Sequence, residues 1–186
     1  IFFGFSLIII FHLFLNKLSY KSLIKDSINK SLFLLESQVD NLIFKSYNLD
    51  LQQSISKELT TICYNLYTTR KRKILTNNLG SIQFKIYIIL ENLNLDLYNL
   101  NKLYSKLNYN SALIKSFLKE LKKSINILRL YLNDEISYYE IDKQLNRLNR
   151  FHEDLPDQFT FFHDLSISVT NLYLYLADMN TLEEGE

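Results

Sequence analysis

Three histidines, one cysteine and a few adjacent carboxylates are the side chains in this 186-residue chain that could do chemistry. Their spacing assigns them none. Two metal ligands on one helix face must lie three or four residues apart. His12, His152 and His163 contain no such pair, and Cys63 is distant from all of them. His152-Glu153-Asp154 reads as a polar helix end, and His163-Asp164, beside Phe161-Phe162, as a surface pair. The doublets Asp134-Glu135 and Glu183-Glu184 are adjacent, and adjacent residues do not face each other on a helix. With only 3 glycines there is no phosphate-cradling loop, dinucleotide fingerprint or nucleophile elbow. The expectation is a chain with no catalytic, cofactor-binding or metal-binding residues, and so not an enzyme. The lone Cys63 cannot form an internal disulfide, which fits a reducing compartment.

Two groups of residues fit a lipid surface better than a reaction. Ile1 to Leu15 reads IFFGFSLIIIFHLFL, without a charge and with only Ser6 and His12 polar. Such a run reaches roughly 22 Å at about 1.5 Å per residue, less than the ~30 Å hydrocarbon core of a bilayer. Residues 1–17 are therefore expected to be the C-terminal part of a transmembrane helix that continues into sequence upstream. A signal peptide would carry a basic stretch before the run and a small-residue cleavage site after it. Asn16-Lys17-Leu18-Ser19-Tyr20-Lys21 follows instead, and Lys25 and Lys30 extend the basic flank against Asp26 alone. Lysines just past a membrane helix stay in the cytosol, which places the rest of the chain on the cytosolic side of the cell (inner) membrane.

A polar ring in a membrane helix usually faces a bundle interior or a water path, so His12 is the candidate pathway residue. The other reading is a position within a turn of the interface, since Asn16 and Lys17 follow closely. Lys17, Lys21 and Lys25, with the run Arg70, Lys71, Arg72 and Lys73, are the candidate contacts to anionic lipid headgroups. That run also reads as a solvated helix C-terminus, where cations meet the negative end of the helix dipole. Basic and acidic residues balance at 21 and 20, so no broad basic field argues for nucleic acid. The expected partners are a lipid bilayer and either further copies of the chain or a membrane complex.

The elements that carry these residues are helical by pattern. Ile28, Leu32, Leu35, Val39 and Leu42 step by four and three; Ile86, Leu90, Leu93, Leu97, Leu100, Tyr104 and Leu107 continue the rhythm. Ile114, Phe117, Leu121, Ile125, Leu128 and Leu132 repeat it, as do Phe162, Leu165, Val169, Leu172 and Leu176. No long segment alternates with the period of two that a strand requires. The near-3.5 period favours long helices packed almost parallel in axis. Turns are expected at Ser46–Asp50, Thr76–Gly80, Asn108–Ser111, Asn133–Ser137 and Glu153–Asp157. Asn77-Asn78-Leu79-Gly80 reads as a helix C-cap, and Pro156 as a helix stop with Asp157 capping the next helix. The fold expected is all-α: a membrane helix end, then over 18–180 an antiparallel bundle of four to six long amphipathic helices, then an acidic tail over 181–186. Leu95, Leu130 and Leu174 flank the main seams and are available for oligomerisation.

This layout resembles the fusaric-acid-resistance or aromatic-acid-exporter superfamily. The residues that carry the resemblance are Gly4 to Asn16 with its lysine flank, the stretch Ser111-Ala112-Leu113-Ile114-Lys115-Ser116-Phe117-Leu118-Lys119-Glu120-Leu121, and Leu155-Pro156-Asp157 with the apolar helix to Met179. The resemblance implies export of small organic or aromatic anions, with the visible part a cytosolic helical domain for assembly or regulation. It places no functional residue on this chain. One membrane helix before a long amphipathic region also looks like a b-type stator subunit of an organellar ATP synthase, or a membrane-tethered coiled-coil adaptor.

Overall fold

Apolar residues three and four apart commit a chain to helices that must bury one stripe each. The computed structural model has six of them: α1 (Phe2–Ile43), α2 (Leu49–Lys71), α3 (Asn78–Tyr104), α4 (Ser111–Leu132), α5 (Tyr138–Glu153) and α6 (Thr160–Glu184). It describes the backbone of residues 2–71, 78–104, 111–153 and 160–184, and the side chains of 23–68, 78–104, 112–150 and 161–182. Among the described residues there is no strand.

Each stripe legible in the sequence forms part of one apolar core. Ile28, Leu32, Leu35, Val39 and Leu42 of α1 are fully buried, as are Ile86 and Leu90 of α3 and Phe117, Leu121 and Leu128 of α4. Leu165, Val169, Leu172 and Leu176 of α6 complete it. Two further stripes join them: Ile55, Leu59, Ile62 and Leu66 on α2, and Ile141, Leu145 and Leu148 on α5. α1, α4, α6 and α3 form a ring in which each packs on its two neighbours and, among the described residues, the diagonal pairs do not meet. α2 lies along α1 and α3, and α5 lies along α4 and α6. The neighbour pattern is unchanged when α1, α2 and α3 are exchanged with α4, α5 and α6.

The helix ends repeat with the same symmetry. α1 and α4 both close on a non-glycine residue in the left-handed region, Lys45 at φ 57° and Asp134 at φ 60°. A left-handed residue of this kind costs about 1–2 kcal/mol. Paired backbone bonds offset it: the Ser46 N–H donates to the Asn41 carbonyl at 2.9 Å and the Lys45 N–H to Leu42 at 3.0 Å. Glu135 to Leu130 (2.9 Å) and Asp134 to Tyr131 (3.0 Å) reproduce the arrangement on α4. These satisfy carbonyls that a helix end otherwise leaves open. Three residues after each left-handed position comes the next N-cap. The Asn48 side-chain oxygen accepts from the Leu51 N–H at 3.1 Å, and the Ser137 N–H donates to the Glu140 carboxylate at 3.0 Å.

One predicted boundary is corrected. Asn77-Asn78-Leu79-Gly80 was expected to end a helix, whereas Asn78, Leu79 and Gly80 open α3 and, among the described residues, no glycine has positive φ. Leu79 is 1% exposed and heads the buried stripe of α3. Burying a leucine is worth about 1.5–3 kcal/mol, more than the ~1 kcal/mol a helical glycine costs. Asn77, the turn at Asn108, Pro156 and Asp157 lie outside the described residues. α6 continues through Glu184, which takes Thr181 to Glu184 of the expected tail into a helix.

Among the described residues no helix is long and apolar enough to cross a membrane. The run Ile1 to Leu15, where the span is expected, lies outside the described side chains. The backbone of α1 is continuous through this region, 42 residues against 22 in α4. At about 1.5 Å per residue, α1 exceeds the helix beside it by roughly 30 Å.

Candidate functional site

The residues singled out for the membrane lie in two stretches of the chain, α1 as far as Lys25 and the end of α2. His12, Lys17 and Lys21 are in α1 upstream of its first core residue, Ile24, and their side chains lie outside those described. Arg70 and Lys71 close α2, again without described side chains, and Arg72 and Lys73 lie outside the described residues. Lys25 is placed fully: its ammonium meets the Asp134 carboxylate at 3.4 Å, joining α1 to the turn between α4 and α5. A turn along α1, Asn29 accepts from the Asn133 side chain at 3.5 Å.

α1 and α4 are held along their length by charge as well as by leucine. The Arg129 guanidinium lies 3.5 Å from the Glu36 carboxylate and 5.5 Å from the Phe33 ring. Lys122 donates to Asp40 at 2.8 Å, and Lys115 sits 5.8 Å from the ring of Phe44. The part-exposed pair of Lys122 and Asp40 contributes at most about 1 kcal/mol and sets register more than stability, whereas the facing atoms of Arg129 and Glu36 are buried. α2 is fixed to α1 by Lys30 with Glu58 and by Gln38, whose side-chain amide donates to the Asn48 carbonyl at 2.8 Å.

Polar groups inside the bundle are mostly paired. Gln144, 5% exposed, donates to Glu120 at 3.0 Å and to Ser124 at 3.4 Å across the α4–α5 seam. Burial alone would raise the Glu120 carboxyl, but hydrogen bonds from Lys123 and Gln144, and the charges of Lys123 and Arg147, bring it below the usual carboxylate range. Asn94 of α3 donates to the Ser56 hydroxyl at 3.3 Å. Tyr131, Tyr138 and Tyr173 cluster where α4, α5 and α6 meet, with ring centroids 5.8 and 5.9 Å apart. Burial, then the neighbouring Tyr138 and Tyr131, pushes the Tyr173 phenol up, so it stays neutral. Burial and the Glu91 carboxylate do the same to Tyr87, which also neighbours Cys63.

One carboxyl is unfavourably placed. Burial, with the charge of Asp164 second, raises Asp96 between α3 and α6 above its ordinary range. An acid whose folded pKa is raised loses stability as pH climbs through the carboxylate range, and regains it below the unfolded value near ~3.9. Asp96→Asn is therefore expected to raise Tm at about pH 7 and to leave it unchanged at about pH 3, where the aspartate is protonated. Equal melting curves at neutral pH would show that the pair carries no penalty.

A shallow cavity of about 380 Å³ lies between the start of α3 and the end of α6, lined by Ser81, Ile82, Lys85, Asp178 and Thr181 among others. Lys85 also lies 5.0 Å from the Tyr175 ring. Among the described residues no group of three or more His, Cys, Asp or Glu is placed to hold a metal ion. His163 and Asp164 are both exposed on α6, the surface pair that the sequence indicates. Comparison with protein-family models, with curated proteins and with solved structures found no match.

The sequence pattern missed the exposed tyrosines. Tyr64 and Tyr67 near the end of α2, and Tyr138 and Tyr139 opening α5, are 63–73% exposed. In a chain with 13 tyrosines, composition hides them. The available signal was phase, and it needs the stripes of α2 and α5 to be seen first: Leu59 and Ile62 on one, Ile141 and Leu145 on the other. Tyr64, Tyr67 and Tyr139 fall off those stripes. Tyr138 is in phase with Ile141 but opens its helix, where its ring is left exposed.

Proposed function

We propose that this chain is the membrane-proximal part of an integral membrane transporter for small organic or aromatic anions. α1 leaves the bilayer of the cell (inner) membrane, and the helical body on its cytosolic side serves assembly or regulation without catalysis of its own. The observation that carries this reading is the continuity of α1, one 42-residue helix that bears both the uncharged run after Ile1 and the buried stripe Ile28 to Leu42. A rigid helix shared by a span and a core transmits tilt or rotation of one to the other.

In this reading successive helices of the body run antiparallel. What supports it is the order of contacts: Lys25, Asn29, Glu36 and Asp40 on α1 meet Asp134, Asn133, Arg129 and Lys122, rising numbers against falling ones. The anion-export role is supported by the resemblance of layout, and the translocation path would lie in membrane helices outside this chain, with His12 its candidate on α1. Exposed Leu95 and Leu174 remain available to further copies of the chain or to a membrane complex. Leu130 is half-buried.

A b-type stator or coiled-coil tether is the second reading. A stalk needs one extended helix, whereas the last 20 residues of α1 share their faces with α2, α3 and α4, which favours a compact regulatory domain. The membrane part of the proposal is tested by floating the full chain with liposomes under alkaline carbonate. Retention in the lipid fraction is expected, and release into the aqueous fraction would remove the transmembrane assignment.

A further inference from the structure

We infer that the bundle seats end-on against the headgroup layer of the bilayer through a girdle of four tyrosines, Tyr64, Tyr67, Tyr138 and Tyr139. The inference rests on the membrane reading of α1 and on the antiparallel course of the helices. The pairs Lys30 with Glu58 and Gln38 with Asn48 direct the C-terminal end of α2 toward the same end of the bundle as Ile24. The pair Lys25 with Asp134 brings the α4–α5 turn, and with it the start of α5, to that end too. The four tyrosines therefore gather around the point where α1 enters the body from its apolar run.

Their distribution is not that of a tyrosine-rich surface. Among the described residues these four are all the exposed tyrosines; Tyr47, Tyr87, Tyr98, Tyr131 and Tyr175 are half-buried, and Tyr104 and Tyr173 are buried. At the opposite end the exposed large apolar side chains are Phe44, Leu49 and Leu103, which carry no hydroxyl, while Leu23 and Phe84 are exposed alongside the tyrosines at the girdle end. A phenol ring with its hydroxyl outward suits the membrane–water interface, where one part of the side chain is apolar and the other wet. In sequence Tyr67 is followed closely by Arg70 and Lys71, the last residues of α2, and then by Arg72 and Lys73. On the α5 side Asp134, Glu135, Glu140 and Asp142 are all exposed, with Asp134 paired to Lys25 and Glu140 bonded to Ser137, so contact on that side is led by tyrosine and works against the local charge.

The chain has no tryptophan, so single-tryptophan variants report one position at a time. The full chain is placed in nanodiscs of phosphatidylcholine and phosphatidylglycerol, with and without bromine on the acyl chains. Phe11→Trp reports the span, Tyr67→Trp and Tyr139→Trp the girdle, and Phe44→Trp the far end, roughly 30 Å from Ile24 along α1. The expected result is that both girdle tryptophans are blue-shifted and lose most of their emission to brominated lipid, as Phe11→Trp does, while Phe44→Trp keeps its own. Quenching of Phe11→Trp with both girdle positions, or either one, unquenched overturns the seating and leaves the span standing. Quenching of Phe44→Trp as strong as that of Tyr139→Trp also overturns it, since the bundle would then lie on its side. An unquenched Phe11→Trp removes the membrane reading itself.

Discussion

Leu128→Asp is expected to abolish cooperative folding of the helical body. Leu128 is 0% exposed on α4, the helix that packs on α1, α5 and α6 together. The substitution removes a core leucine, worth about 2–5 kcal/mol, and leaves an unpaired carboxylate that costs several kcal/mol more unless it is protonated. The sum is comparable to the whole stability of a domain, about 5–15 kcal/mol. Leu93→Asp, at 1% exposure on α3, should do the same from the other side of the ring. Leu95→Asp, 54% exposed two residues away, is the control and should stay within about 0.5 kcal/mol of the parent. Thermal melts followed by circular dichroism read all three. A cooperative melt at the parental temperature in Leu128→Asp would mean that the core is assigned to the wrong faces.

Removing residues 1–17 should convert a chain that floats with liposomes into a helical protein that stays in the aqueous fraction. The reasoning is one of packing. The described core begins at Ile24, so the truncation leaves every buried residue from Ile24 to Met179 in place. It removes the one uncharged apolar run, whose burial in lipid is worth roughly 1.5–3 kcal/mol per large side chain. The tyrosine girdle and basic residues alone would hold such a body only transiently, with strong dependence on salt. Loss of helix signal in the truncated chain, or aggregation, would show that the first turns of α1 belong to the core.

How far the fold was legible follows from what each helix buries. α1, α3, α4 and α6 show unbroken four-and-three stripes, such as Leu32, Leu35 and Val39, because each sits in the central ring and fills a wide apolar face. α2 and α5 lie outside the ring; Ile55, Leu59, Ile62 and Leu66, and Ile141, Leu145 and Leu148, step by the same fours and threes but over four and three residues only. Those stripes are too short to stand out. Turn chemistry misled at Asn78-Leu79-Gly80, where tertiary burial of Leu79 overrode the local preference of asparagine and glycine for a helix end. It was silent at Lys45, a residue type that does not advertise a left-handed conformation, whereas Asp134 falls inside the expected turn Asn133–Ser137 and is of a type that tolerates it; the backbone bonds around both enforce it. The two-fold pattern of neighbours was equally hidden. Lys45 and Asp134 are 89 positions apart, as are Asn48 and Ser137, yet the intervening side chains differ enough to mask a repeat.

The candidate site was legible in part. Of the residues expected to contact headgroups, Lys25 is the one whose side chain is described, and it pairs with Asp134. The tyrosines beside it were not marked, because exposure at the end of a bundle depends on which helix ends coincide, and single-helix periodicity does not carry that information.

The proposed handover of α1 from lipid to water is measured most directly by spin-label accessibility along that helix. With Cys63 replaced by serine, a nitroxide is placed in turn at Leu7, Phe14, Leu23 and Phe33 of the full chain in lipid, and its collisions with oxygen and with a water-soluble nickel chelate are compared. The prediction is oxygen-dominated collision at Leu7 and Phe14, nickel-dominated collision at Phe33, which is 52% exposed, and a value between the two at Leu23, at the level of the headgroups. Nickel-dominated collision at all four positions would contradict the account, because α1 would then be a water-bathed helix from end to end.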